Sequence, residues 1–229
     1  MPDIKNVTVL GTGVLGSQIA FQAAFQDCGV TACDIGDEII EREKERLAKL
    51  AEIYKSDRVP GAAEGKAEEA LKNLRLSSDL GDAVSDVDLV IEAVPENLEI
   101  KRDTYTKLVG FAPKKTIFAT NSSTLLPSDI KDFTGRPDRF IALHYAINVW
   151  RQNTAEIMGT SDTAPDVFAA VVEFAKGSGL VPIELKKEKA GYVLNSLLVP
   201  LLNAAAGLLV GMYAAVETVD KTWRIATGA

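Results

Sequence analysis

The chain has 229 residues, 47% of them hydrophobic and 25% charged, with a formal net charge of −7. That length carries one large domain or two smaller ones, and the composition is that of a globular protein. The acidic balance excludes sequence-blind nucleic-acid binding, which needs a basic surface, but leaves room for a small phosphate-bearing ligand in a local pocket.

The start, MPDIKNVTVLG, runs almost directly into a strand, with no apolar signal core and no Arg-rich leader, so a cytoplasmic location is expected. Residues 6–10 read as a short buried strand, followed by GTGVLG. SQIAFQAAFQDCG reads as a small-residue helix ending at Gly29, and VTACD as a second strand ending at Asp34. Strand, turn, helix and strand make the crossover unit of parallel sheets. Cys28 and Cys33 fit neither a zinc spacing nor a disulfide framework and are expected to be buried thiols, with no metal site.

Gly11, Gly13 and Gly16 spell G-x-G-x-x-G between a strand and a helix, and Asp34 closes the next strand 18 residues after Gly16. This is the context of a dinucleotide turn. The first glycine permits the tight turn, the second lets backbone approach a pyrophosphate, and the third lets helix and strand pack closely. The N–H groups around Gly13, Val14 and Leu15, with the helix dipole, would hold the phosphates. Asp34 would accept from both ribose hydroxyls and repel a 2′-phosphate, which favours NAD over NADP.

Residues 37–74 read as a charged helical hairpin broken at Pro60-Gly61. Its bland reading is a solvated insert; its functional reading is a lid in which Lys49 or Lys55 touches a phosphate. Strands then alternate with helices: DLVIEAV, the helix NLEIKRDTYTKLVGFA, the strand TIFATN, the short helix LPSDIKDF, the strands RFIALH and AEIM, the helix PDVFAAVVEFAKGSG and the strand LVPIEL. The alternation predicts a doubly wound α/β sheet. Beyond about Lys189 only helix signals continue. The charge-free stretch from Ala190 to Val216 is long enough to span a membrane, but two asparagines and Pro200 interrupt it and no basic flank orients it. A helix buried on all sides or packed in a subunit interface is expected instead, with no membrane span.

Ligands of such sheets sit outside the carboxyl ends of the strands. Glu92 and Glu96, Asn121 to Thr124, and His144 all fall at those ends. His144 is the single histidine of the chain. Oxidising an alcohol with NAD needs a base for the hydroxyl proton, and imidazole suits it, better still with a carboxylate behind the ring. If residues 140–144 and 155–158 are neighbouring strands, Glu156 reaches that ring.

GTGVLG, Asp34, AVPENLEIK, ATNSST, RFIALH, the glutamate of AEIM and GYVLNSLLVPLLNAA, in this order, resemble the L-3-hydroxyacyl-CoA dehydrogenases of the 3-hydroxybutyryl-CoA type over essentially the whole chain. The resemblance implies a Rossmann-type NAD-binding domain over 1–187 with the hairpin inserted at 37–74, and a smaller all-helical dimerisation domain over 191–229. That domain is expected to be partial, because the family usually continues for several more helices past WRIATGA. By the same resemblance His144 is the base and Glu156 its orienting partner. Ser123 bonds the substrate oxygen, and Asn195 helps hold the reacting carbonyl. Ala93, Glu96, Lys101 and Asn121 line the nicotinamide and ribose side. The implied partners are an acyl-CoA substrate and a second copy of the chain.

One segment departs from the pattern. The family usually has an aromatic-Asn-Pro run after the histidine, whereas here YAINVWRQN follows with no proline. Trp150, Arg151 and Gln152 could therefore serve a more polar acid. The alternatives are a dehydrogenase of a free 3-hydroxy acid, such as a sugar acid or a carnitine-like compound, and a non-catalytic NAD-binding relative.

Overall fold

The computed structural model describes residues 3–228; Met1 and Pro2, the first residues of the stretch MPDIKNVTVLG, and Ala229, the last residue of the expected 191–229 domain, lie outside them. The strands are β1 (Asn6–Leu10), β2 (Gly29–Cys33), β3 (Leu74–Ser77), β4 (Leu89–Glu92), β5 (Ile117–Thr120), β6 (Phe140–Tyr145), β7 (Thr154–Gly159) and β8 (Val181–Glu184). They form one eight-stranded sheet in the order β3-β2-β1-β4-β5-β6-β7-β8. Every neighbouring pair is parallel except β6 and β7. Strands β4, β5 and β6 are buried at every position, which explains their near-continuous apolar runs: helices cover both faces of a parallel sheet.

The helices are α1 (Val14–Phe25), α2 (Asp37–Ser56), α3 (Ala67–Lys72), α4 (Leu80–Ala83), α5 (Leu98–Phe111), α6 (Pro127–Ile130), α7 (Pro165–Gly177), α8 (Leu194–Val210) and α9 (Val216–Thr227). On one face α1, α2, α3 and α7 build a core around Phe21, Phe25 and Tyr54. On the other, α5 and α6 cover Tyr105, Phe118 and Phe140. Asn97 starts α5 by accepting from the N–H groups of Glu99 and Ile100, the ordinary service of an N-cap side chain.

Several local expectations need correction. Helix α1 stops at Phe25 and not at Gly29, because Asp27 takes a left-handed conformation (φ 67°) and Gly29 already opens β2. The hairpin ends at Lys72, and Leu74 begins the edge strand β3. Cys33 is buried, and burial pushes its thiol up to about 11, whereas Cys28 is only half-buried.

The chain divides into two compact units, one ending at Glu188 and the other beginning at Lys189. Helices α8 and α9 contain no buried residue, so the expectation of a helix buried on all sides does not hold for the charge-free stretch. Among the described residues no helix is long and apolar enough to cross a membrane.

Candidate active site

The turn after β1 is shaped by what its glycines exclude. Gly11 has φ +91°, and a Cβ there would stand 2.6 Å from the Ala93 carbonyl oxygen. A Cβ on Gly16 would stand 1.8 Å from the Gly11 carbonyl oxygen, so the first turn of α1 lies directly on the loop. Gly13 differs: a Cβ there meets nothing within 4 Å, and no side chain caps the helix that begins at this residue. The cradle therefore presents open space and the positive end of a helix together, which fits a pyrophosphate. Val14 and Leu15 form the first turn of α1 beside that space. Asp34 stands at the end of β2, where its Oδ2 accepts from the Thr12 N–H (2.6 Å) and hydroxyl (2.8 Å). One carboxylate thus ties the turn to the position where a ribose would sit.

The next strand ends carry a connected polar network. Glu92 is fully buried; Oε1 accepts from the Lys101 ammonium at 2.6 Å, and Oε2 accepts from the Thr120 hydroxyl at 2.8 Å. Lys101 is 1% exposed and also lies 3.5 Å from Glu96. Its ammonium is thus engaged by two protein carboxylates. Glu96 gathers the loop after β5: its Oε1 accepts from the Ser122 hydroxyl (2.6 Å), the N–H groups of Ser123 (3.1 Å) and Thr124 (2.8 Å), and the Thr124 hydroxyl (2.7 Å). Burial works against its charge, but these bonds and Lys101 outweigh it and hold the carboxyl at about 2. The Asn121 side-chain oxygen accepts from the Tyr145 N–H at 2.9 Å, which joins this loop to the end of β6.

His144 and Glu156 are direct partners in the antiparallel β6–β7 ladder. Both are buried, and His144 Nδ1 lies 2.9 Å from Glu156 Oε2. With the carboxylate accepting, Nδ1 carries the hydrogen and Nε2 is the basic nitrogen. The arrangement can orient an imidazole and stabilise its cation, as a general base requires.

The connection 146–153 is anchored without proline. Gln18 of α1 accepts from the Asn148 N–H at 2.8 Å. The Trp150 indole donates to Asp57 at 2.6 Å, Arg151 pairs with the same carboxylate at 2.5 Å, and the Trp150 ring packs 5.1 Å from that of Tyr54.

Among the residues singled out in the sequence, the structure brings together the glycine turn with Asp34 and Ala93, Glu96 with Lys101 and the 122–124 loop, Asn121 with Tyr145, and His144 with Glu156. Asn195 is half-buried at the start of α8, in the other unit. Gln18, Glu43, Arg46 and Asp57 escaped sequence reading, because polar residues in a charged or small-residue helix look like its wet face.

The family model described as "3-hydroxyacyl-CoA dehydrogenase, NAD binding domain" matches residues 6–189. The chain belongs to the 3-hydroxyacyl-CoA dehydrogenase family. It is an NAD-dependent oxidoreductase. It is 35% identical to the mitochondrial hydroxyacyl-coenzyme A dehydrogenase of Rattus norvegicus, with 98% of this chain and 72% of that protein covered. Among solved structures, a diketoreductase described as acting on dicarbonyl compounds is 64% identical, with a TM-score of 0.96 and coverage of 100% and 81%. The (S)-3-hydroxybutyryl-CoA dehydrogenase of Ralstonia eutropha is 27% identical, with a TM-score of 0.90 and coverage of 99% and 79%.

Proposed function

We propose that the chain interconverts a hydroxyl and a ketone placed beside a second carbonyl, with His144 taking the hydroxyl proton in one direction and returning it in the other. The observation that carries this is the His144–Glu156 pair, 2.9 Å apart and fixed by strand register at the carboxyl end of β6. NAD, when bound, accepts the hydride of the oxidation and returns it as NADH. The turn at Gly13 and the Asp34 carboxylate are the chain's means of holding that cofactor, and Glu96 orients Ser123 beside it. Ser123 and Asn195 are assigned to the substrate oxygen on the strength of the family pattern.

The favoured substrate is a small dicarbonyl compound not carried on coenzyme A. Two observations support it. The 64% identical structure is of a diketoreductase. Lys55, a candidate phosphate contact in the hairpin, is already paired with Glu52 at 2.8 Å and Glu68 at 2.5 Å. The second reading is a 3-hydroxyacyl-CoA, supported by the family and by the rat relative.

Loss of NADH absorbance with ethyl acetoacetate, acetoacetate and acetoacetyl-CoA separates the readings. Turnover without the thioester is expected. Turnover confined to acetoacetyl-CoA would restore the coenzyme A reading. No turnover with any of them, on protein that binds NADH, would overturn the enzymatic assignment and leave a binding protein.

The helical unit is read as a self-association surface. Leu197, Leu202, Trp223 and Ile225 are exposed, and an apolar groove of about 550 Å³ is lined by α8 and α9. A dimer in sedimentation experiments is the expected result; a monomer at all concentrations refutes it.

A further inference from the structure

Glu43 sits in the middle of α2 and is 0% exposed. Its Oε2 accepts from the Arg46 guanidinium at 3.0 Å and lies 2.8 Å from the Ser17 hydroxyl. Its Oε1 is buried and has no hydrogen-bond partner among the described residues. Such an oxygen is costly while the carboxylate is charged, and far less so once a proton is added. The cluster is wired to the dinucleotide turn. Arg46 donates to the Thr12 carbonyl, and the Ser17 hydroxyl also lies 2.8 Å from the Gly13 carbonyl.

The Ser17 hydroxyl has one hydrogen and three competing acceptors: Glu43 Oε2 and the Gly13 carbonyl, each at 2.8 Å, and the Thr12 carbonyl of the same turn at 3.2 Å. While Glu43 is ionised, the hydroxyl donates to the carboxylate. Once Glu43 is protonated, the carboxyl can donate to Ser17, and Ser17 then donates to the Gly13 carbonyl. The state of one buried acid thus decides whether Ser17 braces the turn or turns away from it.

We propose that Glu43 is a positioning residue for the dinucleotide and takes up a proton as NAD(H) binds, so that affinity for the dinucleotide falls as the pH rises through neutrality. This rests on the reading that the Gly13 cradle holds the pyrophosphate. A pyrophosphate there brings negative charge toward the Glu43 carboxylate. A protonated Glu43 removes that repulsion and leaves the Arg46 charge uncompensated for the phosphates. The charged groups facing Glu43 are Arg46, from its own helix, and Asp34, at the end of β2; α1 offers the Ser17 hydroxyl. Burial pushes the Glu43 carboxyl up to about 7, and Asp34 adds to it, against the pull of Ser17 and Arg46. Its proton is therefore exchangeable under ordinary conditions.

The test is NADH affinity, read by fluorescence titration from about pH 6 to about pH 8.5. The dissociation constant of the wild type is expected to rise about three- to tenfold across that range. Glu43→Gln mimics the protonated acid and should show a flat profile, keeping at high pH the affinity the wild type has at low pH. The same slope must persist in His144→Gln, which removes the buried imidazole of the proposed base. A merely structural glutamate would shift affinity equally at every pH. Should Glu43→Gln not fold, calorimetry of the wild type in two buffers of different ionisation enthalpy gives the same answer, as net proton uptake on NADH binding near neutral pH. A flat wild-type profile without proton uptake, or an unchanged slope in Glu43→Gln, overturns the inference. Failure to bind NADH at any pH would overturn the cradle reading, and this inference with it.

Discussion

His144 and Glu156 form a buried pair 2.9 Å apart, and in the proposed reaction the first exchanges the proton while the second orients its ring. Replacing the first removes the base and leaves the cofactor cradle untouched, since the cradle lies on β1, β2 and α1. His144→Gln is expected to lower turnover by about 10²-fold or more while the NADH dissociation constant stays within about twofold. Turnover near the wild-type value would remove His144 from the reaction. Glu96 makes a different claim, about pH. Its carboxyl is held at about 2 instead of the ordinary 4.5, so its bonds to the 122–124 loop stabilise the folded chain fully above about pH 4.5 and are lost as the pH falls toward 2. Glu96→Gln should therefore melt below the wild type at neutral pH, with the gap closing in acid. A gap independent of pH would mean that the charge of Glu96 does not contribute.

At the scale of elements, the glycine turn permits a paired test. Gly13→Ala places a methyl where nothing lies within 4 Å, at a helix start that any residue can adopt. It should fold with unchanged stability but bind NADH at least about tenfold more weakly, because the methyl occupies the space of the pyrophosphate. Gly16→Ala drives a methyl into the Gly11 carbonyl and should cost about 2–4 kcal/mol in urea unfolding. Equal behaviour of the two variants would contradict the distinct roles of the glycines.

Legibility followed the same logic of elements. Buried strands such as LVIE and IFAT are written in unbroken apolar residues, and the strand-end rule then gathers Glu96, Asn121 and His144 from distant segments. The edge strand LRLS was hidden, because its leucines continue the helical spacing of the preceding residues and an edge strand need not be apolar on both faces. The end of α1 was hidden too, since Asp27 closes the helix without a glycine. Glu43 could not be read at all: only the fold brings α2 against the glycine turn and turns a charged helix position inward.

Over the whole molecule, the turn, Asp34, Glu96 and the 121–124 loop all belong to the unit that ends at Glu188. A chain stopped at Glu188 is expected to keep NADH binding within about threefold, because it retains its own core on both faces of the sheet. Loss of binding on truncation would place part of the cofactor site in the helical unit.

The reversal of β7 against β6 has a consequence in time. Had the two strands run parallel, a helix would separate the base from its carboxylate, and the packing of that helix would set their spacing. Here the short connection 146–153 returns the chain directly, and ladder hydrogen bonds hold the two backbones in step. The pair lasts as long as the ladder, so slow amide exchange at His144 and Glu156, whose backbones face each other across it, would report the lifetime of that geometry.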